Sequence, residues 1–264
     1  MTMTKLQNYK SYVRTMGSKA YGCDVPGSDF DLRGFYVQPW EDIVDPMSDA
    51  NGQVIRSAEE VRLGVSNLPP LEDLDICIHS ARRIFNLWAK GSPEAFEMLI
   101  DLQPDACGYA YNRAPYKTSY EAEMLLCKNK HIFFSMGFVR SSLGFLEGDR
   151  KKAAHAKENY DQAKAQKLVA NMVRLSGNLV DYLHLQHFEL DSWKVTCRDI
   201  RSGEIDLHEA MKMVDSNLSQ AKKLRARSSL PKDADPEQIK SLFSALIMEC
   251  YGPKQERKIN SSDN

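Results

Sequence analysis

Hydrophobic positions change period along this chain. From Tyr9 to Met16 polar and apolar residues partly alternate, with Tyr12 and Val13 as strand formers. After a glycine-containing turn, Asp29-Phe30-Asp31-Leu32 runs into Gly34-Phe35-Tyr36-Val37. This pattern predicts a strand, a tight turn with a short helix, and a second strand. Leu71 to His79 alternates again, with Leu74, Ile76 and Ile78 on one face and Asp73, Asp75, Cys77 and His79 on the other. Between these strands, Glu41 to Pro70 is rich in turn formers. It predicts loops, a short strand at Gln53 to Ile55 and another short element at Glu59 to Gly64.

From Ala81 the period lengthens to that of helices. Ala81 to Lys90 predicts an amphipathic helix burying Ile84, Leu87 and Trp88 and stopped by Gly91, and Ser92-Pro93 then opens a second helix holding Glu97, Met98 and Ile100. Beyond a Gly-, Pro- and Tyr-rich loop at Gln103 to Lys117 the pattern is helical at Lys130 to Leu146, at Ala153 to Leu185 as one long helix, at Leu207 to Arg225 and at Pro236 to Tyr251. The predicted class is α+β, with a mixed sheet flanked by helices over residues 1–110, a mainly helical domain over 111–251 and a polar, disordered tail over 252–264.

Composition narrows the class without naming an activity. At 264 residues the chain fits one large or two closely packed small domains, and 42% hydrophobic with 27% charged residues is normal for a soluble protein with a real core. Met1 to Gln7 has no apolar core and no stretch is long enough to span a bilayer, so a cytoplasmic location is expected. The six cysteines lack metal-ligand spacing and read as reduced thiols. A net charge of −1 does not favour nucleic acid, but between Lys128 and Arg174 ten Lys and Arg face four acids. That stretch is either a phosphate-holding face or a solvated helical surface, with Tyr160 the main candidate for base stacking.

The turn between the first two strands carries the chemistry. Residues i and i+2 of a strand share a face, so Asp29 and Asp31 are predicted to project together while Phe30 and Leu32 point inward. Paired carboxylates repel unless a cation lies between them, and hard oxygen ligands suit Mg²⁺. Gly17-Ser18 supplies the complementary half: glycine permits close approach, and N–H groups at a helix start face an incoming phosphate. A Walker A loop is excluded because Cys23-Asp24 follows Gly22, and an EF-hand because Arg33 and Trp40 stand at ligand positions. On the long helix Lys167, Asn171 and Arg174 share one face, two cations suited to a triphosphate.

Gly17-Ser18 followed by Asp29-x-Asp31 resembles the signature of the DNA polymerase beta superfamily of nucleotidyltransferases. Within it, Gly17-Ser18-x-Ala20-Tyr21-Gly22 and Ser28-Asp29-x-Asp31-x-Arg33-Gly34 are similar to a bacterial and phage group linked to RNA repair. The resemblance continues through Asp75, Ser92-Pro93-x-x-x-Glu97, Lys167-x-x-x-Asn171-x-x-Arg174 and Arg201-x-Gly203-Glu204. Ser92 replaces the group's usual Asn, and Asn171, which cannot exchange a proton at neutral pH, replaces its usual His. The resemblance implies a polymerase-beta-like, palm-type N-terminal domain. It also implies a metal set of Asp29, Asp31 and Asp75, with Asp73 as the fallback for the third carboxylate, and nucleotide contacts from Gly17, Ser18, Arg33, Lys167 and Arg174. Mg²⁺, or Mn²⁺, and an NTP are then the expected cofactor and substrate. The acceptor is left open among an RNA 3′ end, a protein hydroxyl and a small molecule. A catalytically idle nucleotide-binding or antitoxin-like protein of the same fold is the alternative.

Overall fold

The computed structural model describes residues 10–44, 54–55, 74–102 and 120–252. Four strands make one mixed sheet: β1 (Lys10–Met16), β2 (Phe30–Val37), β3 (Val54–Ile55) and β4 (Leu74–Ser80), in the order β1-β2-β4-β3. β1 and β2 are antiparallel and joined through a single helical turn, α1 (Gly17–Ala20), while β2 and β4 are parallel and β3 runs antiparallel to β4. Parallel neighbours need a long crossover. Here it includes α2 (Trp40–Val44) and β3, and the element expected at Glu59 to Gly64 lies outside the described residues.

After β4 the chain forms α3 (Ala81–Ala89), α4 (Pro93–Ile100), α5 (Tyr120–Asn129), a 3₁₀ turn (Lys130–Phe133), α6 (Met136–Glu158), α7 (Gln162–Leu185), α8 (Lys194–Ser202), α9 (Leu207–Arg225) and α10 (Pro236–Tyr251). The class is α+β, as the change of period predicted. Among the described residues no helix is long and apolar enough to cross a membrane.

One hydrophobic core runs from the sheet into the helices. Phe35 of β2, Phe85 and Trp88 of α3, Phe133, Phe138 and Tyr182 all belong to it, edge-on or tilted at ring separations of 4.8 to 5.5 Å. Phe85, rather than the expected Leu87, is the fully buried partner of Ile84 and Trp88 on α3. The Trp88 indole donates to Ala95 O at 2.8 Å and fixes α4 against α3. α10 returns to the sheet: Phe243 packs on Phe85 at 5.2 Å, and the Tyr251 hydroxyl donates to Val37 O at 2.6 Å. The boundary placed at Gln103 to Lys117, and most of the tail, lie outside the described residues.

The helix expected over Ala153 to Leu185 is two. α6 ends at Glu158, Tyr160 takes a left-handed conformation (φ 59°), and the Asp161 carboxylate accepts from Lys164 N at 3.1 Å to start α7. Asp is a favoured N-cap because its oxygen satisfies an amide that the helix cannot. α7 packs against α6, α8 and α9 and is the central strut of the helical half. Gly177 makes this possible on one side, since a Cβ there would overlap the Trp193 indole.

Candidate active site

A cleft of about 270 Å³ opens where the C-terminal end of β1, α1, the start of β2 and α7 meet. Its sheet side is built on strand register. Asp31 of β2 is paired with Met16 of β1 on one flank and with Asp75 of β4 on the other. Adjacent parallel strands thus set two carboxylates next to each other. Asp73 lies outside the described residues.

Gly17 presses against this pair. Its φ is +67°, a conformation costly for residues with a Cβ, and a Cβ would overlap the Asp31 carboxylate. A glycine is therefore required on two counts. Both residues line the cleft.

Arg33 answers the repulsion between the acids. Its Nη2 donates to Asp31 Oδ1 at 2.8 Å and to Asp75 Oδ2 at 2.7 Å, and its Nη1 to Asp75 O at 2.8 Å. Burial opposes the charge on Arg33, but the hydrogen bond to Asp75 and the field of Asp31 raise its pKa on balance. Asp31 is held above the usual carboxylate range, chiefly by burial; Arg33 opposes this, and the neighbouring Asp75 and Asp29 add to it.

Asp29 is placed differently from the expected shared strand face. β2 begins at Phe30, so Asp29 stands just outside the strand with its side chain 67% exposed, 3.7 Å from Lys167 Nζ. Lys167 is thereby brought to the site, as its face of the helix required. Mg²⁺ is the ion that such oxygens would suit. Among the described residues no group of three or more His, Cys, Asp and Glu is gathered closely enough to hold one. Asp31 and Asp75 do share one cation, the Arg33 guanidinium, and their hard oxygens are of the kind that suits Mg²⁺.

The opposite wall is a buried chain of polar groups. Tyr21, the residue that ends α1, donates its hydroxyl to Glu97 Oε2 at 2.6 Å, and Glu97 Oε1 accepts from Arg174 Nη1 at 2.6 Å. Arg174 Nη2 donates to Asn171 Oδ1 at 2.7 Å, and Asn171 Nδ2 donates to Asp149 Oδ2 at 3.1 Å. The amide at 171 thus joins a donor to an acceptor, a task that needs one group of each kind and no titration. The Glu97 and Arg174 side chains are only 1% and 6% exposed, and the guanidinium lies 3.6 Å from the Tyr21 ring centroid. Burial lowers the Arg174 pKa and Glu97 more than offsets it, so its charge is secure. Arg174 lines the cleft, yet both of its terminal nitrogens are occupied by protein.

Sequence reasoning missed two contributors. Arg201, in the last turn of α8, donates from Nη1 to Cys23 O at 2.7 Å and from Nη2 to Ser28 Oγ at 3.4 Å, clamping the turn that leads to Asp29. The retained Arg201-x-Gly203-Glu204 pattern was the signal for it, with Gly203 ending the helix at φ 86°. Tyr21 was quoted within the motif without a role, and its partner Glu97 ties α1 to α7.

A small mixed sheet with a Gly-Ser corner packed on the second acid of an Asp-x-Asp pair, a further Asp on the next strand and helices closing the cleft is the arrangement expected of a polymerase-beta-like nucleotidyltransferase. Residues 10–138 match the model of the RNA repair pathway DNA polymerase beta family, so this part of the chain is similar to polymerase-beta-like nucleotidyltransferases linked to RNA repair. No curated protein and no solved structure matches the chain.

Proposed function

We propose that the protein transfers a nucleoside monophosphate from an NTP to an acceptor hydroxyl, with release of pyrophosphate, and that the acceptor is an RNA 3′ end. The observation that carries this reading is the fit of Gly17 against Asp31, which excludes any side chain at 17 and seats the Gly-Ser corner beside the carboxylate pair in the cleft. Gly17 and Ser18 hold the β- and γ-phosphates through backbone N–H groups and the Ser18 hydroxyl. Lys167, exposed and near Asp29, contributes charge from the helical side. Arg33 follows the phosphate charge as a planar fork suited to two oxygens. Asp75, whose side chain is 62% exposed, is open to an acceptor hydroxyl and takes its proton as the oxygen attacks the α-phosphorus. Asp29, Asp31 and Asp75 would hold Mg²⁺, which when bound neutralises charge developing on the phosphates and the leaving group.

Labelled NTPs offered one at a time with Mg²⁺ and pooled RNA test the reading. Label recovered in RNA, with pyrophosphate released in equal amount, is expected. Tight NTP binding without transfer to any acceptor would instead favour an idle nucleotide-binding protein. That second reading is supported by Arg33, which bridges the two acids that an active centre needs for metal.

A further inference from the structure

Two thiols line the cleft, and the proposed transfer uses neither. Cys23 lies in the turn between α1 and β2, and Cys197 in the middle of α8, so they come from opposite ends of the chain. Both are free, 7% and 1% exposed respectively, and hydrogen-bonded to each other. Cys197 Sγ also reaches Ala170 O on α7 at 3.4 Å, so its single proton is shared between that carbonyl and the Cys23 sulfur. Two guanidiniums act on the pair. Arg201 is fixed beside it through its 2.7 Å bond to Cys23 O, and Arg174 is held in the same wall by Glu97.

We propose that Cys23 and Cys197 are a redox modification site, which a peroxide or a low-molecular-weight disulfide entering the cleft converts to an intramolecular disulfide fastening the Asp29-bearing turn to α8. Both thiols line the cleft although little of either is exposed, Arg201, one turn beyond Cys197 on the same helix, holds the Cys23 carbonyl at 2.7 Å, and two fixed cations make the surroundings electropositive, as reactive thiols require. Cys23 is the attacking sulfur. The hydrogen bond from Cys197, with Arg174 and Arg201, holds it below the ordinary thiol range against the effect of burial. Cys197 is pushed up by the same bond, by burial and by the charge on Cys23.

With hydrogen peroxide the Cys23 thiolate attacks one oxygen; the S–O bond forms, the O–O bond breaks, and the departing hydroxide takes a proton as water. Cys197 sulfur, losing its proton, then attacks the Cys23 sulfenic acid, the S–S bond forms, and the S–O bond breaks to release a second water. Two electrons pass from the sulfurs to the peroxide. With a disulfide as oxidant, Cys23 first forms a mixed disulfide, which Cys197 resolves, releasing the second thiol.

The crosslink would add to ties already present. Ser28 Oγ accepts from Val25 N at 2.9 Å and from Arg201, so the turn from Cys23 to Ser28 is drawn to α8 at both ends before any oxidation. A closure joining remote parts of the chain restricts the unfolded state most.

Full-length protein treated with limiting hydrogen peroxide, and separately with glutathione disulfide, is alkylated, digested without reductant and mapped by mass spectrometry. The expected product is a Cys23–Cys197 peptide lighter by two hydrogens, abolished by dithiothreitol, with a raised melting temperature that reductant reverses. Cys23→Ala and Cys197→Ala should each abolish it, and the wild-type map decides the question even if a variant folds poorly. Cys23 recovered as a sulfinic acid or a stable glutathione adduct with Cys197 free would overturn the pairing, as would full protection of both thiols. None of these readouts depends on nucleotide transfer, so the pair stands or falls separately from the proposed reaction.

Discussion

The two walls of the cleft hold charge in opposite ways. On the α7 wall Tyr21, Glu97, Arg174, Asn171 and Asp149 form a chain in which each hydrogen bond satisfies a neighbour, and the central ion pair is almost wholly buried. On the sheet wall Asp29 and Asp75, with Lys167 reaching over from α7, are more than half exposed, and Arg33 is shared between two acids. Burial makes the first set a fixed framework, because an unpartnered charge there is costly. The second set can exchange its partners for a ligand's at small cost, since exposed pairs are worth little. Arg174, whose spacing with Lys167 suggested a triphosphate ligand, is structurally engaged, and Lys167 is the cation left facing solvent.

The largest effect should come from breaking the buried pair. Arg174→Leu leaves Glu97 charged and unpaired, and should cost about 3–5 kcal/mol of stability, measured by urea unfolding. Glu97→Leu with Arg174→Leu should recover most of that loss, because apolar replacement of both partners is often neutral. If the double variant regains its fold and retains NTP binding, Arg174 is framework alone. Restored stability with NTP binding still lost would make it a phosphate contact as well.

Next in size is Asp31→Asn, expected to reduce transfer on the order of a hundredfold or more. Stability should move the other way. The Asp31 pKa is raised in the fold, so the native state binds more protons than the unfolded chain between the ordinary value of 3.8 and the raised one. The wild type therefore loses stability as pH rises through that window, and Asn removes the loss. The variant should melt higher than wild type at neutral pH, with the gap closing below pH 3.8. A variant less stable at neutral pH would mean that the Arg33 bridge, rather than burial, dominates at this carboxylate.

This contrast explains what could be read from sequence. The sheet wall is written almost contiguously, since Gly17, Ser18, Asp29 and Asp31 lie within one strand-turn-strand unit. The limits of α9 and α10 were also legible; both begin after an Asp, Asp206 and Asp235, whose carboxylates accept from His208, Glu209 and Glu237 N. The buried wall was not legible, because Tyr21–Glu97 and Glu97–Arg174 join residues far apart in the chain, and no local pattern distinguishes a buried Glu from a solvent-facing one. The break at Tyr160 was missed for a different reason. Alanine- and lysine-rich sequence favours helix on both sides, and a single left-handed residue can be a tyrosine when Asp161 caps the next helix.

A smaller effect is expected away from both walls but on the same strut. Gly177→Ala places a methyl into the Trp193 indole, so the ring must move or α7 must shift. Overpacking of this kind should cost about 1–3 kcal/mol. Circular dichroism melting and Trp fluorescence should both report it, and transfer activity per folded molecule should be retained. A change in fluorescence without loss of stability would show that Trp193 finds a second site of equal quality.

The smallest effect should come from the basic run that precedes α7. Lys151 pairs with Glu147 at 3.3 Å, one turn away, with side chains 75% and 61% exposed, so the pair is screened by water and ions. Lys151→Ala should change stability by less than about 0.5 kcal/mol, a tenth of the cost expected at Arg174. Lys152 is a less suitable probe, because its ammonium lies 3.0 Å from the buried Asp149 that anchors Asn171, and reversing its charge would disturb the framework. Lys151→Glu therefore isolates the role of surface charge in holding RNA. If this face guides an RNA acceptor, retention of a labelled single strand should weaken uniformly across sequences, with a shallower dependence on salt, because one fewer phosphate is neutralised. Unchanged retention and an unchanged salt slope would remove Lys151 from the path and leave Lys167, at the cleft itself, to meet the strand.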